Sequence, residues 1–273
     1  MKARTILRAE PAGTPPREHS HAGRGRIRTT PGFPGAANPR MLPPMEKLLR
    51  IPLTAGGAKR EVSGVLIVPR GAQSCLVLAH GAGAGMHHPF MADVAQGLAL
   101  RGVATLRYQF PSMEDGSRRP DRPPLAHAAV RAAVAAAARH TRHTRHMRLF
   151  AGGKSFGGRM TSQAQALEPL TGVAGLVFLG FPLHPPGKAS LERAEHLLDI
   201  DIPMLFVHGA RDALAEPDHF RRSMARLGSR GTAMEVDGAD HSFHVPRRSG
   251  RTDMEVLDGI LDTITVWMQA WQL

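Results

Sequence analysis

From about residue 45 onward, apolar runs alternate with segments of helical period. The stretches "REVSGVLIVP" (60–69) and "SCLVLAHG" (74–81) predict strands. The second is apolar throughout, as a strand covered on both faces should be. "PFMADVAQGLALRG" (89–102) predicts a helix with Pro at its start and Gly at its end. Further strands are expected at 103–110, 146–153, 173–183, 203–209 and 232–238, and further helices at 124–139, 155–167, 190–198 and 216–228. The last helix opens with the capping pair Thr252 and Glu255. Its apolar face is read as Met254, Leu257, Leu261, Ile264, Met268 and Trp271, spaced by three and four. This alternation implies an α/β fold, a mostly parallel sheet with helices on both faces. Ligands in such sheets bind beyond the carboxyl ends of the strands, so candidate chemistry should lie in turns that follow strands.

Composition adds bounds to this picture. The chain has 273 residues, 42% hydrophobic and 21% charged, which suits one large soluble domain. Its one cysteine, Cys75, excludes an intrachain disulfide and a Cys-built zinc site. No apolar run is long enough to span a bilayer, and the N-terminus lacks a signal-peptide core. A soluble, cytoplasmic protein without a membrane partner is expected. The formal charge is +12, and residues 1–44 carry eight Lys/Arg against two Glu. This Arg-, Pro- and Gly-rich stretch is too polar to offset its ordering entropy. It is expected to be a disordered tail before a domain at 45–273. A basic arm, a targeting segment and a start-site artefact are competing readings of it, since Met41 and Met45 both precede "MEKLLRIPL".

The chemistry turns on "AGGKSFGGRM" (151–160). A phosphate loop ending at Gly153-Lys154-Ser155 would need a glycine where Arg148 stands. The turn "HGAGAGM" has Met86 where the dinucleotide fingerprint needs its third glycine. No cofactor is therefore expected. Gly153, Ser155 and Gly157 instead match G-x-S-x-G between a strand and a helix, where small residues let a nucleophile sit on a sharp turn. A serine needs a base, and in this arrangement acid then histidine follow later in the chain. Asp212 lies in the turn after the 203–209 strand and His241 in the turn after 232–238. Asp218 and His244 are the nearest competitors. An oxyanion hole would use the backbone N–H groups of Phe156 and Ala82.

Together "LAHGAGAGMHHPFM", "GGKSFGGRM", "FPLHPPGK", "LFVHGARDAL" and "GADHSFHV" resemble the α/β-hydrolase superfamily. More narrowly they resemble its small dienelactone-hydrolase-like members, a group that includes a domain shared with a subunit of the NSL histone acetyltransferase complex. The resemblance covers about residues 47–272 and implies a serine hydrolase core with Ser155, Asp212 and His241. Dienelactone hydrolases themselves carry a cysteine nucleophile, so that specific activity is not implied here. Many relatives have a lid after the strand that ends near Leu183. Here only some seventeen residues with one short helix fill that interval, so no large lid domain is expected.

The expected function is esterase-like hydrolysis of a small or medium acyl substrate. A catalytically idle scaffold that binds proteins is the alternative. Nucleic-acid binding through the basic arm has no aromatic-rich element to support it. Met86 and Met113 are candidate substrate contacts, whereas Phe110 and Phe181 suit the core as well as a pocket. Arg118, Arg119 and Arg122 suit a solvated loop better than an anion site. The histidines of "HTRHTRHMR" (140–148) lack an accompanying carboxylate, and no metal is expected there.

Overall fold

A computed structural model describes residues 7–8, 46–141, 147–188 and 190–271. Its centre is the apolar run at 74–79, which forms β4 (Ser74–Ala79) with every residue buried. Side chains of β4 alternate between two cores: Cys75, Val77 and Ala79 face one, Leu76 and Leu78 the other. The remaining strands are β1 (Leu7–Arg8), β2 (Glu46–Ala55), β3 (Ala58–Ile67), β5 (Val103–Tyr108), β6 (Arg148–Lys154), β7 (Val173–Leu179), β8 (Met204–Gly209) and β9 (Gly231–Val236). The sheet order is β1-β9-β8-β7-β6-β4-β5-β3-β2. Among the described strands, only the β2–β3 and β3–β5 pairs are antiparallel.

Helices α1 (Pro89–Leu100) and α6 (Asp253–Ala270) cover one face. Helices α3 (Pro123–Thr141), α4 (Phe156–Leu167) and α5 (Pro217–Leu227) cover the other. A short α2 (Pro111–Glu114) follows β5. The register brings the strands to one edge together: Ala79 stands beside Gly153, Lys154 beside Leu179, and Gly209 beside Val236. The turns after β4, β6, β7, β8 and β9 therefore converge on one end of the sheet.

Residues 46–53, to which the sequence pattern assigned no element, lie in β2, whose Leu49, Ile51 and Leu53 point inward at period two. Two expectations change. The segment expected as a helix over 190–198 is a 3-10 turn, Glu192–Asp199. It buries only Ala194 and Leu197, three residues apart, the spacing that 3-10 geometry eclipses. On α6 the buried stripe runs through Val256, Ile260, Ile264 and Trp267, flanked by Leu261, Thr265 and Met268. Met254 is 79% exposed and Trp271 41% exposed, so the two ends of the expected face lie outside. The capping box of Thr252 and Glu255 is present.

Between β7 and β8 the 3-10 turn is the one regular element among the described residues, and no large lid is built there. Of the tail expected over 1–44, only Leu7–Arg8 is described, as a strand parallel to β9; the rest lies outside the described residues. No described helix is long and apolar enough to cross a membrane.

Candidate active site

Ser155 stands between β6 and α4 with φ 49° and ψ −113°, a conformation that side chains other than glycine rarely adopt. The turn is held because its neighbours have no room to relax. A Cβ on Gly153 would collide with the carbonyl oxygen of Ala79, and one on Gly157 would come within 2.5 Å of the carbonyl oxygen of His80. Both glycines of the motif are thus required by the close approach of β4. The Ser155 N–H donates to the Leu179 carbonyl at 3.0 Å, fixing the turn to β7.

The turns after β8 and β9 supply the partners. The Ser155 hydroxyl lies 2.9 Å from His241 Nε2, and His241 Nδ1 lies 2.7 Å from Asp212 Oδ2. Asp212 is a carboxylate and can only accept, so Nδ1–H donates to it and Nε2 is left to accept from the hydroxyl. The other Asp212 oxygen accepts from the Leu214 N–H at 2.8 Å. Burial acts to raise the Asp212 carboxyl. The His241 hydrogen bond and charge, the Leu214 N–H and the Lys154 charge outweigh it, and the group rests below its ordinary value. The Asp212 side chain is fully buried, while that of His241 keeps partial access to solvent.

The competitors are occupied elsewhere. His244 is exposed and pairs with Asp253 at 2.7 Å at the start of α6. Asp218 pairs with Arg221 on the surface of α5. A second serine–histidine contact exists between Ser162 Oγ and His196 Nε2 at 2.7 Å. Ser162 lies within α4, fully buried, and also bonds the Arg159 carbonyl at 2.9 Å. Burial, with Arg159 nearby, pushes His196 down to about 4. No carboxylate bonds its ring among the described residues, and the contact fastens the 3-10 turn to α4.

The backbone N–H groups of Ala82 and Phe156 donate to no acceptor among the described residues. That of Phe156 is the first N–H of α4, one of the orphan donors of a helix start. The turn carrying Ala82 is anchored by His80, to which the sequence pattern assigned no role. His80 Nδ1 donates to the Gly81 carbonyl at 2.7 Å, and its Nε2 accepts from the Phe110 N–H at 3.0 Å. Burial holds its imidazole below the ordinary value, although the Gly81 carbonyl and Asp121 pull the other way. Gln109 adds a second anchor by accepting from the Met86 N–H at 2.7 Å. A histidine placed directly before a glycine turn at a strand end was the signal available for this role.

Met86 is buried, whereas Met113 stays partly exposed against Gly85. Phe110 and Phe181 belong to the core. Arg118, Arg119 and Arg122 are exposed, as a solvated loop requires. Residues 142–146 of the histidine-rich stretch lie outside the described residues, and no metal-binding cluster occurs among the described ones. A cavity of about 460 Å³ opens beside Asp212, with His184, Lys188, Arg211 and Glu216 among its walls.

A mostly parallel sheet, a strained serine after a central strand and a histidine–carboxylate pair in later turns together define an α/β-hydrolase architecture. The family model described as "Alpha/beta hydrolase domain" matches residues 72–269, and the chain belongs to that family. Among solved structures, the chain is similar to a dienelactone hydrolase from Anabaena variabilis, with 21% identity and a TM-score of 0.65 over 84% of this chain and 99% of that one. It is also similar to an α/β serine hydrolase without lid from Xanthomonas campestris, at 21% identity and a TM-score of 0.61, covering 83% and 95%. Est1E from Butyrivibrio proteoclasticus, solved with ferulic acid bound, matches at 15% identity and a TM-score of 0.60, covering 81% of this chain and 98% of that one.

Proposed function

We propose that this protein is a serine hydrolase acting on carboxylic esters of small or medium acyl groups. The observation that carries the reading is the continuous hydrogen-bonded line from Ser155 through His241 to Asp212, with the serine on a strained turn. In this reading Ser155 is the nucleophile, His241 the general base, and Asp212 the group that holds the imidazole tautomer.

The reaction runs in two halves. Ser155 Oγ attacks the carbonyl carbon while its proton passes to His241 Nε2. The carbonyl oxygen becomes an oxyanion, held by the N–H groups of Ala82 and Phe156, each worth about 3 kcal/mol in the transition state. The intermediate collapses, the leaving alcohol takes the proton from Nε2, and an acyl-serine remains. Water then attacks with His241 as base, the acid departs, and the proton returns to Ser155. Met113 is proposed as a contact for the substrate. The open interval between β7 and β8 leaves no large lid to exclude bulky esters. That Est1E binds ferulic acid, an aromatic acid, supports including aryl esters among the substrates tried.

The test is hydrolysis of a p-nitrophenyl ester series by the wild type and Ser155→Ala. Loss of activity in the variant, with circular dichroism unchanged, supports the assignment. A wild type that neither hydrolyses esters nor reacts with a fluorophosphonate probe rejects it in favour of a non-catalytic scaffold.

A further inference from the structure

Lys154 occupies the variable position of the motif immediately before Ser155, and nothing in the reaction above uses it. Its side chain is partly buried and passes between the turns of the site. The Cγ lies 3.7 Å from where a Cβ on Gly81 would be, beside the turn that presents Ala82. The ammonium donates to the main-chain carbonyl of His241 at 2.5 Å. It also stands 5.3 Å from the ring centre of Phe243, a residue held at φ 65° in the same turn. Gly180, at φ 65°, leaves the space the ammonium fills, for a Cβ there would come within 2.8 Å of Nζ. One side chain thus lies beside the turns after β4 and β7 and bonds the turn after β9, and it is covalently next to Ser155.

We propose that Lys154 is a positioning residue: its charged ammonium clamps the His241 main chain and keeps the imidazole aligned between Asp212 and Ser155. The inference rests on the serine-hydrolase reading for its kinetic consequences, but the clamp itself is a property of the fold. A charge-assisted hydrogen bond to a carbonyl is about twice as strong as a neutral one, so the protonated lysine holds the turn more firmly than the neutral amine. The charged and titratable groups facing the ammonium are Asp212, on the turn after β8, and Asp240 and His241, on the turn after β9. The turns after β4 and β7 present the glycines Gly81 and Gly180. Burial lowers the Lys154 ammonium to about 8 against the pull of the two aspartates, so the clamp loses its charge within an accessible pH range.

The test compares wild type, Lys154→Arg and Lys154→Met in kcat and KM for p-nitrophenyl acetate from pH 6 to 10. The wild type is expected to lose kcat above pH 8. Lys154→Arg, whose charge does not titrate there, keeps near-neutral activity and has no such alkaline limb. Lys154→Met falls at least tenfold in kcat at pH 7 with KM changed less than threefold. If Lys154→Met does not fold, the wild-type and Lys154→Arg profiles decide alone. Superimposable profiles for all folded proteins, or an arginine variant as impaired as the methionine one, overturn the proposal. A second measurement does not depend on activity: the low-field proton resonance of His241 Nδ1–H, bonded to Asp212. It should persist in the wild type and Lys154→Arg at pH 7 and be lost or shifted in Lys154→Met, or, without a folded methionine variant, in the wild type alone above pH 8. An unchanged resonance in either case overturns the clamp even in a protein that hydrolyses no ester. An inactive wild type with the expected resonance changes rejects the esterase reading alone.

Discussion

The carbonyl oxygen of His80 lies where a side chain at Gly157 would begin, 2.5 Å from the position of its Cβ. The obstructing atoms are backbone at the end of β4, a strand paired on both sides with β5 and β6. They cannot swing aside as a flexible side chain would. Gly157→Ala is therefore expected to cost about 3 kcal/mol or more, through overpacking against immobile atoms. Gly259 on α6 is the contrasting site, with nothing within 4 Å of its Cβ position. There alanine should gain up to about 1 kcal/mol from helix propensity. Urea denaturation of both variants checks the pair, and equal effects would contradict the close approach of β4 and α4.

Removing charge from Asp212 separates its electrostatic part from its shape. Asp212→Asn should keep the fold but lower kcat by about 10⁴-fold, because an amide no longer fixes the Nδ1–H tautomer. The same change bears on acid stability. The carboxyl is held below its ordinary value of 3.8, so the folded protein binds fewer protons there than the unfolded chain. Its stabilising contribution is present above that pH and is lost as pH falls through the lower folded value. Thermal melts from pH 2.5 to 5 should be less steeply pH-dependent in the variant.

The two serine–histidine contacts make opposite predictions. Ser162→Ala should retain fluorophosphonate labelling, and Ser155→Ala should lose it. His196 is half-buried, and burial lowers its imidazole from 6.5 to about 4, so the folded chain holds it neutral above that value. A chain unfolding between these values takes up a proton, so stability is full above 6.5 and is lost as pH falls toward 4. His196→Leu should flatten the melting temperature across that window while leaving ester hydrolysis within about twofold, since non-catalytic contacts usually alter kcat little.

Lys154 gives a stability signature of the other sign from its effect on rate. Its ammonium is lowered from 10.5 to about 8 by burial. Between those values the folded protein binds fewer protons, so raising the pH from 8 to 10.5 adds stability relative to a variant without the lysine. The melting temperature of the wild type minus that of Lys154→Met should rise over this range while wild-type kcat falls. A parallel pair of melting curves would show that folding does not lower the ammonium toward 8.

His80 should matter for rate without touching substrate. His80→Ala leaves the Phe110 N–H buried without its acceptor and releases the Gly81 carbonyl, at a cost of about 1–3 kcal/mol. The turn bearing Ala82 loosens with it, and kcat should fall more than KM rises. Steady-state kinetics on a p-nitrophenyl ester would reveal this split.

Much of the fold was legible because its signals are local. The run at 74–79 is apolar on every residue because both faces are covered, and the Thr252–Glu255 box marks a helix start whatever surrounds it. The order Ser155, Asp212, His241 could be read because each lies just past a strand. Where local pattern and burial part company, reading fails. Met254 and Trp271 have the right spacing for the inner face of α6, but which stripe turns inward is set by the sheet residues it meets. The 190–198 segment has helical composition, yet its inner surface is only two residues, Ala194 and Leu197.

The sequence by itself determined the alternation of strands and helices, the glycines Gly153 and Gly157 around Ser155 and the identity of the residues that could do chemistry, since these follow from short-range sterics and periodicity. Only the tertiary structure decided that His241, not His244, reaches Ser155, and that Ser162 and His196 meet between α4 and the 3-10 turn. It alone placed the ammonium of Lys154 on the His241 carbonyl. Those choices depend on the registers that bring the ends of β4, β6, β7, β8 and β9 to one edge. Registers are set by packing between strands far apart in the chain, which no short window of residues contains.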